Sequence, residues 1–510
     1  MVKYKQLKKQ HESYSAGAFR RMELLFGDPA EICKPENAAL FIHQHQSEHI
    51  DAYRDRLKEA VYIPIYSTIV HYISDFVFEK ELTVQDRSGK KSEYWKDFSR
   101  GSDRLRKTSF QDQIKQTGTR ALAFSSAWLG YDFPEKKTEE GASLFEVAES
   151  GEMNAYCFQV DAKEIIDFQY DDHDRLEWVK LCRRIDAPSS PLDETSEIIT
   201  EFKIWEMLDG IAHFSIYQKK HKCDYLLIDS DEFDEIKIRE ATSFDEIPLK
   251  KLELPDGLSM KVKIMDLCAK LFRNKTTFEF AKRRAAYPVP YIKLAGEYPD
   301  GSADTFSPAD PGKVKSAAQA AASKGLIPLS EKDELGFLQA DSACFALLSE
   351  DLEKHSNYIY QQANLLSQSV AATTMGAGRS AASKVMDNAA LNTAAEELGS
   401  IFRAFALEVC SAIARARGED IEFEAYGLDN FQQTDQEVIL KNALALNAIN
   451  LPSKEFKKRY MLLCAVNMLP SLDREAEALI KEEIDSAVDK EPDDLYEKEE
   501  QEEVNDARGN

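Results

Sequence analysis

The spacing of hydrophobic positions changes near residue 250, and this change divides the chain into two parts. From Ala155 to Glu240, short runs such as EIIDFQY, ITEFKIWEML and HFSIYQK alternate apolar and polar residues or are rich in β-branched and aromatic ones. This pattern predicts strands of an antiparallel sheet. Later apolar residues recur every three or four positions over long stretches, which predicts helices. The expected fold class is α+β, mostly helical.

Helical spacing also occurs in the first part. The segment from Glu48 to Phe76 contains Pro64, so its pattern predicts two helices or one kinked helix. Another helix is predicted around Ser109 to Trp128, ending at Gly130.

The second part begins with a predicted helix of about 30 residues, about 45 Å long, that stops at Tyr287-Pro288. An insert with the order β-α-β-β follows, and a second long helix, Ser342 to about Leu366, returns from it. The first of these helices carries eight basic residues: Lys261, Lys263, Lys270, Arg273, Lys275, Lys282, Arg283 and Arg284.

The remainder of the chain is a loop, a long helix and a helical end. Residues 367–379 are rich in Gly, Ala, Ser and Thr, which is typical of a flexible loop. A helix is predicted from Ser380 to Arg417, ended by Gly418, and a strand in IEFEAYG follows it. Further helices are predicted over Val438 to Leu446 and Phe456 to Met468. Residues 489–510 follow, where ten acidic against three basic residues predict a solvated tail.

Composition narrows the possible functions. The chain has 510 residues, 43% hydrophobic and 30% charged, enough to bury the cores of several structural units. We find no run of about 18 apolar residues and no start like a signal peptide, so a soluble cytoplasmic protein is expected. Eight cysteines without a CxxC pair argue against zinc ribbons and a disulfide framework. A net charge of −25 disfavours tight binding of DNA by counterion release, but it is compatible with a conduit along which a duplex slides.

One short motif points to different chemistry. His45, Glu48 and His49 fit H-x-x-E-H, in which two histidines one helical turn apart bind zinc beside a carboxylate base. No second motif supplies a downstream acidic ligand. A metal-dependent hydrolase is therefore kept only as an alternative.

The order of these parts resembles the tailed-bacteriophage portal protein family, the head-to-tail connectors. Tyr53, Arg56, Val77 and Phe78 stand where a Tyr-x-x-Arg motif precedes an apolar helix ending near a Val-Phe pair in a subgroup of portals. LGFLQADSACFALLSEDLEKHSNYIYQQANLLSQ is similar to the passage from the last clip strand into the returning stem helix, and Leu446 to Pro470 to a C-terminal crown element. The resemblance implies a wing (1–256), stem helix (257–287), clip (288–341), returning stem helix (342–366), tunnel loop (367–379), long wing helix and strand (380–430), helical crown (431–488) and acidic tail (489–510).

The resemblance implies a structural protein that is not an enzyme and has no cofactor or metal. Subunits would close into a homo-oligomeric ring, a dodecamer in the virion, at one capsid vertex, as the conduit for genome packaging and ejection. The ring would assemble in the host cytoplasm, make no membrane contact and pass double-stranded DNA without sequence specificity. The implied channel residues are Thr373, Thr374, Met375, Gly376, Gly378, Arg379, Ser380 and Lys384.

Partners follow from the same resemblance. The clip would dock the terminase large subunit and later the head-to-tail adaptor, while the wing and crown would meet the major capsid and scaffold proteins. Another ring or scaffold protein of a mobile element remains a second alternative. The implied docking residues are Lys293, Glu297, Asp300, Lys313, Lys315, Lys324, Glu331 and Lys332.

The basic cluster of the stem has two possible roles on this interpretation. It either faces the channel or pairs with acids of the adjacent subunit. We favour pairing, because a fully basic collar would retard DNA translocation. The residues expected at this contact between subunits are Lys270, Arg273, Lys282, Arg283 and Arg284.

Overall fold

The computed structural model divides the chain into two compact units. Unit 1 comprises Met1–Phe26, Ile65–Met265 and Tyr360–Asn510, and unit 2 comprises Gly27–Pro64 and Asp266–Ile359. The structure describes residues 7–12, 14–46, 48–87, 93–134, 154–187, 197–221, 233–242, 244–286, 289–293, 334–338, 342–365, 381–429, 431, 454–468 and 474–489.

Helices and strands mix along the described chain. The helices are α1 (Ala16–Phe26), α2 (Pro29–Ile32), α3 (Pro35–Ala38), α4 (Ile50–Lys58), α5 (Ile65–Val77), α6 (Glu93–Arg100), α7 (Phe110–Phe124), α8 (Met260–Ala286), α9 (Ser342–Gln362), α10 (Ala381–Ala416), α11 (Lys454–Met468) and α12 (Arg474–Asp489). The strands are β1 (Thr83–Asp86), β2 (Ser126–Asp132), β3 (Tyr156–Val160), β4 (Ile165–Tyr170), β5 (Leu176–Ala187), β6 (Glu197–Leu208), β7 (Ile211–His221), β8 (Asp234–Ala241), β9 (Leu249–Glu253), β10 (Val289–Lys293), β11 (Glu334–Leu338) and β12 (Phe423–Tyr426).

A five-stranded antiparallel sheet in the order β4-β5-β6-β7-β8 dominates unit 1. This confirms the sheet predicted from the alternating runs. Asp209 and Gly210, both with positive φ, join β6 to β7, as a two-residue hairpin turn matched to the strand twist requires. Leu7 from the N-terminal segment packs with Phe202 and Tyr217 on this sheet.

A second sheet, β3-β2-β9, corrects one prediction. The helix expected to reach Trp128 ends at Phe124, where Ser125 has a left-handed φ of 71°. Trp128 and Gly130 lie in β2, the central strand, whose residues are almost all buried. A strand buried on both faces is a continuous apolar run, which periodicity alone does not distinguish from a buried helix.

Helix α10 supplies much of the core of unit 1, and Gly418 with a φ of 74° follows its end as predicted. Phe402 of α10 stacks on Phe78, with ring centroids 5.3 Å apart, and its ring lies against Gly118 of α7. Val77 is also buried. The Val-Phe pair of the portal-like motif therefore anchors α5 in this core.

Unit 2 contains most of the two stem helices, α8 from Asp266 and α9 up to Ile359, and the segment Gly27–Pro64, which the sequence had assigned to the wing. The chain forms two separate helices, α4 and α5, with Pro64 immediately before the second, which confirms one of the two predicted outcomes. Strands β10 and β11 pair antiparallel from Val289↔Leu338 to Lys293↔Glu334, so they join the two ends of the insert. The helix and the second of the three strands predicted in the insert lie outside the described residues.

Helices α11 and α12 contact each other near the C-terminal end, and α11 confirms the helix predicted over Phe456 to Met468. The predicted loop 367–379, the helix around Val438 to Leu446 and the acidic tail lie outside the described residues. Among the helices that the structure describes, none has the length and apolarity needed to cross a bilayer.

Candidate functional site

The stem helices α8 and α9 are the candidate functional surface, because they flank the insert and because α8 carries the basic cluster. Ile264, Cys268, Leu271 and Phe272 recur at helical spacing along α8 and are buried. One face of α8 is therefore core, and the basic residues occupy the rest of its circumference.

The segment Gly27–Pro64 clamps α8 through aromatic and hydroxyl contacts. Phe272 lies between Phe41 and Tyr62, with edge-to-face centroid distances of 5.6 and 5.4 Å. The fully buried Thr276 accepts a hydrogen bond from the Val61 amide at 3.1 Å. The Thr276 hydroxyl thus satisfies the backbone amide of Val61 within an otherwise apolar contact.

Arg56 locks this clamp, and its guanidinium is only 2% exposed. Its Nε and Nη2 donate to the two Glu48 oxygens at 2.9 and 2.6 Å, and Nη2 also donates to the His43 carbonyl at 2.9 Å. Nη1 donates to Thr277 Oγ1 on α8 at 3.2 Å. Burial raises the pKa of Glu48, but hydrogen bonds from Arg56 and the His45 amide outweigh it and leave the pKa lowered.

Tyr53 is the other residue of the Tyr-x-x-Arg pattern. Its hydroxyl donates to the Ile42 carbonyl at 2.8 Å, and the Arg56 guanidinium lies 5.6 Å from its ring centroid. The motif that sequence resemblance singled out is therefore a structural lock on the stem helix.

Helix α9 packs antiparallel to α8 within unit 2. Phe278 meets Phe345 edge to face at 6.1 Å, and His355 forms a hydrogen bond with the Leu267 backbone. Burial and the nearby Lys270 ammonium lower the pKa of His355. The His355 Nε2 atom has no hydrogen-bond partner among the described residues.

The outer face of α9 is open to solvent. No residue from 343 to 354 is buried, and Leu347 and Leu348 are 63% and 46% exposed. Tyr358 lies further along with 47% exposure. Adjacent leucines exposed on a helix make this surface a candidate for contact with a partner.

The basic cluster divides into paired and unpaired side chains. Arg283 forms a 3.0 Å ion pair with Glu59 of its own chain, and Lys275 pairs with Glu279 one turn along α8 at 2.8 Å. Lys282 lies 6.0 Å from the Phe278 ring centroid.

Lys270 and Arg273 have no side-chain ion pair or hydrogen bond with any described residue. Pairing between subunits remains a prediction for Lys270 and Arg273. Arg283 instead forms an ion pair with Glu59 of its own chain. The side chain of Arg284 lies outside the described residues.

Most residues implied by the resemblance fall beyond the described part of the chain, and their roles remain predictions. Lys384 lies in α10 and Lys293 in β10, but only their backbone is described. The channel residues outside the description are Thr373, Thr374, Met375, Gly376, Gly378, Arg379 and Ser380. The docking residues outside it are Glu297, Asp300, Lys313, Lys315, Lys324, Glu331 and Lys332.

The H-x-x-E-H alternative lacks its required geometry. His45 lies in a loop, and His49 is the N-cap of α4, so the histidines are not one turn apart on a helix. The Glu48 carboxylate is bound to Arg56. Within the described ranges, no group of three or more His, Cys, Asp or Glu side chains could hold a metal ion.

A charged cavity of about 520 Å³ in unit 1 has no counterpart in the sequence-based predictions. Glu246 in its wall accepts hydrogen bonds from Tyr131 at 3.1 Å, Arg415 at 3.0 Å and Lys250 at 3.1 Å. Burial raises the pKa of Glu246, but Lys250 and Arg415 outweigh it and lower the pKa. Lys250 of β9 and Arg415 of α10 both donate to Glu246, so this carboxylate connects β9 to α10. No local sequence motif marks it.

The sequence matches no protein-family model and no curated protein. Among solved structures, the chain is similar to one from the neck of an empty GTA particle computed with C6 symmetry, with 11% identity over 77% of this chain and 88% of that chain and a TM-score of 0.38. It is also similar to an HK97 family phage portal protein from Corynebacterium diphtheriae, with 12% identity over 76% of this chain and 96% of that chain and a TM-score of 0.32. The solved structures that this chain resembles thus include a phage portal protein and a neck component of a GTA particle.

Proposed function

We propose that this chain is a portal protein: one subunit of a ring at a single capsid vertex, through which the genome is packaged and ejected. The ring closes by repeating one heterologous contact between identical subunits. On this proposal the protein is a structural conduit and catalyses no reaction.

The layout of the stem supports the proposal. A 27-residue helix leads into β10, and β11 leads into a 21-residue helix that returns antiparallel. Pairing of β10 with β11 joins the two ends of the insert between these helices. An insert that leaves and rejoins the chain between two long helices suits a docking role in this proposal.

The outer face of α9 is the observation that carries the proposal. Helices in a folded chain normally turn their apolar residues inward, yet Leu347 and Leu348 point to solvent over a stretch with no buried residue. A single helix pair covers only one face of each helix, whereas identical neighbours in a ring cover the others.

The charge of the chain fits a passage for DNA. A net charge of −25 means that the surface as a whole does not hold a duplex. We place the few contacts with phosphate at the loop 367–379 and at Arg379 and Lys384, where they orient DNA without reading its bases. Weak contacts of this kind allow the duplex to slide.

The remaining roles extend the same proposal. The clip, 288–341, docks the terminase large subunit during packaging and the head-to-tail adaptor afterwards. The wing and the crown contact the major capsid and scaffold proteins, and the finished ring has twelve subunits in the virion.

Imaging and mass measurement of the purified full chain test the proposal. Negative-stain images are expected to contain rings with an axial hole, and the particle mass is expected to be an integral multiple of 57.8 kDa. A chain that remains monomeric at all concentrations up to the millimolar range, with α9 protected from solvent, contradicts the proposal.

A further inference from the structure

We infer that His355 is an acid-sensitive latch between α9 and α8: the neutral imidazole holds α9 against α8, and protonation of the ring loosens the two helices. The contacts of this latch lie inside one chain. The inference therefore goes beyond the proposed ring and does not depend on it.

Helix α9 is only lightly buried along most of its length. No residue from 343 to 354 is buried, and within that stretch Phe345 contacts Phe278 of α8 edge to face. His355 follows ten residues later, about 15 Å along the helix, beside the Leu267 backbone of α8. Because so little of α9 is buried, the contact of this one ring has a large share in holding α9 on α8.

The buried nitrogen of His355 fits the neutral form of the ring. Nε2 is buried and has no hydrogen-bond partner among the described residues. In the neutral imidazole one nitrogen is an unprotonated acceptor, whereas in the imidazolium both nitrogens carry a proton. Protonation would therefore leave a charged donor buried without an acceptor, which costs more than a neutral acceptor left unpaired.

The charged groups around the ring also oppose a proton on it. Lys270 of α8 is the charged residue that acts on His355, and an ammonium repels an imidazolium. Lysine can donate to a neutral imidazole, but it has no acceptor for a protonated one. Lys263, two turns earlier on α8, is influenced by Glu397 of α10. Asp351, one turn before His355 on α9, is exposed and makes no hydrogen bond with the ring among the contacts that the structure describes.

The direction of the acid response follows from these contacts. Burial and the Lys270 ammonium lower the pKa of His355, and the hydrogen bond with the Leu267 backbone only partly opposes them. In the unfolded chain the imidazole titrates near its ordinary pKa of about 6.5. The latch therefore contributes its full stability above a pH of about 6.5, and this contribution is lost as the pH falls towards the lower pKa of the folded state.

This pH range is separate from that of the clamp. The ion pair of Glu48 with Arg56 keeps its stabilising effect until the pH falls below the ordinary Glu pKa of about 4.3. Mild acid should therefore loosen α9 while the clamp on α8 is still intact.

Hydrogen–deuterium exchange of the full-length chain tests the inference in peptides within 342–359. Protection factors, corrected for the intrinsic effect of pH on exchange, are compared between about pH 7.5 and about pH 5, on both sides of the ordinary His pKa. Protection is expected to fall at least about threefold, and by no more than about tenfold per pH unit, the limit for one proton.

Two variants and two matched controls assign this response. His355→Gln retains a donor and an acceptor but does not titrate, so the loss of protection in acid should disappear. Lys270→Glu puts a carboxylate beside the ring, which should raise the pKa of His355 and abolish or reverse the response. Arg273→Glu makes the same change of charge on α8, at another residue of the predicted contact between subunits, and His173→Gln removes an exposed histidine of a turn. Both controls should respond to acid like the natural chain.

A second measurement does not depend on the folding of His355→Gln. The slow exchange of the imidazole C2 hydrogen, followed by mass spectrometry, gives the pKa of His355 in the intact chain. This pKa should lie below the ordinary value of about 6.5 in the natural chain and in Arg273→Glu, and it should be higher in Lys270→Glu.

The outcomes separate the latch from the proposed function. The latch is overturned if protection of 342–359 does not change with pH, if it falls equally in His355→Gln, or if the measured pKa of His355 is not lowered. A stronger acid response in Lys270→Glu than in the natural chain also overturns it. A monomeric chain with the expected acid response overturns the ring and supports the latch, whereas a ring without that response overturns only the latch.

Discussion

Replacement of Arg56 is expected to release the clamp from α8. The guanidinium makes four hydrogen bonds, two to Glu48, one to the His43 carbonyl and one to Thr277 on α8. In Arg56→Ala all four are lost, and a carboxylate that is only 12% exposed keeps its charge without its partner. Breaking a buried pair in this way costs about 3–5 kcal/mol.

The cost should appear locally, as easier opening of the clamp. If the free energy of opening falls by about 3–5 kcal/mol, the rate of amide hydrogen exchange rises by about two to three and a half powers of ten. Arg56→Lys retains the charge but cannot donate in a planar fork. It should lose about 1.5–3 kcal/mol, which places it between the natural chain and Arg56→Ala.

Hydrogen–deuterium exchange of peptides covering 272–283 measures this opening. The matched control is Arg283→Ala, which removes an ion pair on the same helix whose partners, Arg283 and Glu59, are 62% and 36% exposed. That exposed pair contributes about 0–1 kcal/mol, so exchange should change less than tenfold. Equal exchange in Arg56→Ala and Arg283→Ala would refute the assignment of Arg56 as the lock.

Two further predictions concern pH and close packing. The lowered pKa of Glu48 means that its ion pair stabilises the fold above the ordinary Glu pKa of about 4.3, and that this contribution is lost as pH falls through the lower folded value. Glu48→Gln should therefore weaken the acid dependence of exchange in 272–283, and an unchanged acid limb would contradict the pairing. In Gly399→Ala the new Cβ would lie 2.0 Å from the Leu428 carbonyl oxygen, so we expect a destabilisation of about 1–3 kcal/mol and a lower thermal midpoint. The control Gly17→Ala adds a Cβ with nothing within 4 Å in a helix, and it should leave the midpoint unchanged or raise it slightly.

Elements with strong periodicity could be predicted from the sequence. The runs ITEFKIWEML and HFSIYQK became β6 and β7, and the predicted 380–417 helix became α10. The pattern failed at β2, because a central strand buried on both faces does not alternate. Alternation of polar and apolar residues indicates a strand that is buried on one face. It gives no signal for a strand that is buried on both faces.

The clamp could not be predicted for a different reason. Arg56 and Thr277 are 221 positions apart, and neither lies in a motif that names the other. Sequence resemblance marked Tyr53 and Arg56 without saying what they contact. Similarly, Glu59 stands in an unremarkable helical end, so the intramolecular partner of Arg283 had no local signal. Long-range polar contacts depend on the fold and leave no spacing that a linear pattern can reveal.

The clamp holds the same helix, α8, that carries the predicted contact between subunits, and this has a mechanical consequence. Phe272, Thr276 and Arg283 contact the segment Gly27–Pro64. The side chains of Lys270 and Arg273 have no ion pair or hydrogen bond with any residue that the structure describes. A ring contact built from exposed charges fixes the register only if each helix is held firmly by its own chain. If the helix is mobile, the entropy cost of ordering it offsets the free energy of the contact. Arg56→Ala should therefore weaken ring assembly although it alters no residue of the predicted contact between subunits. If rings form normally while exchange in 272–283 rises as predicted, the stem does not need the clamp for assembly, and the link between them is wrong.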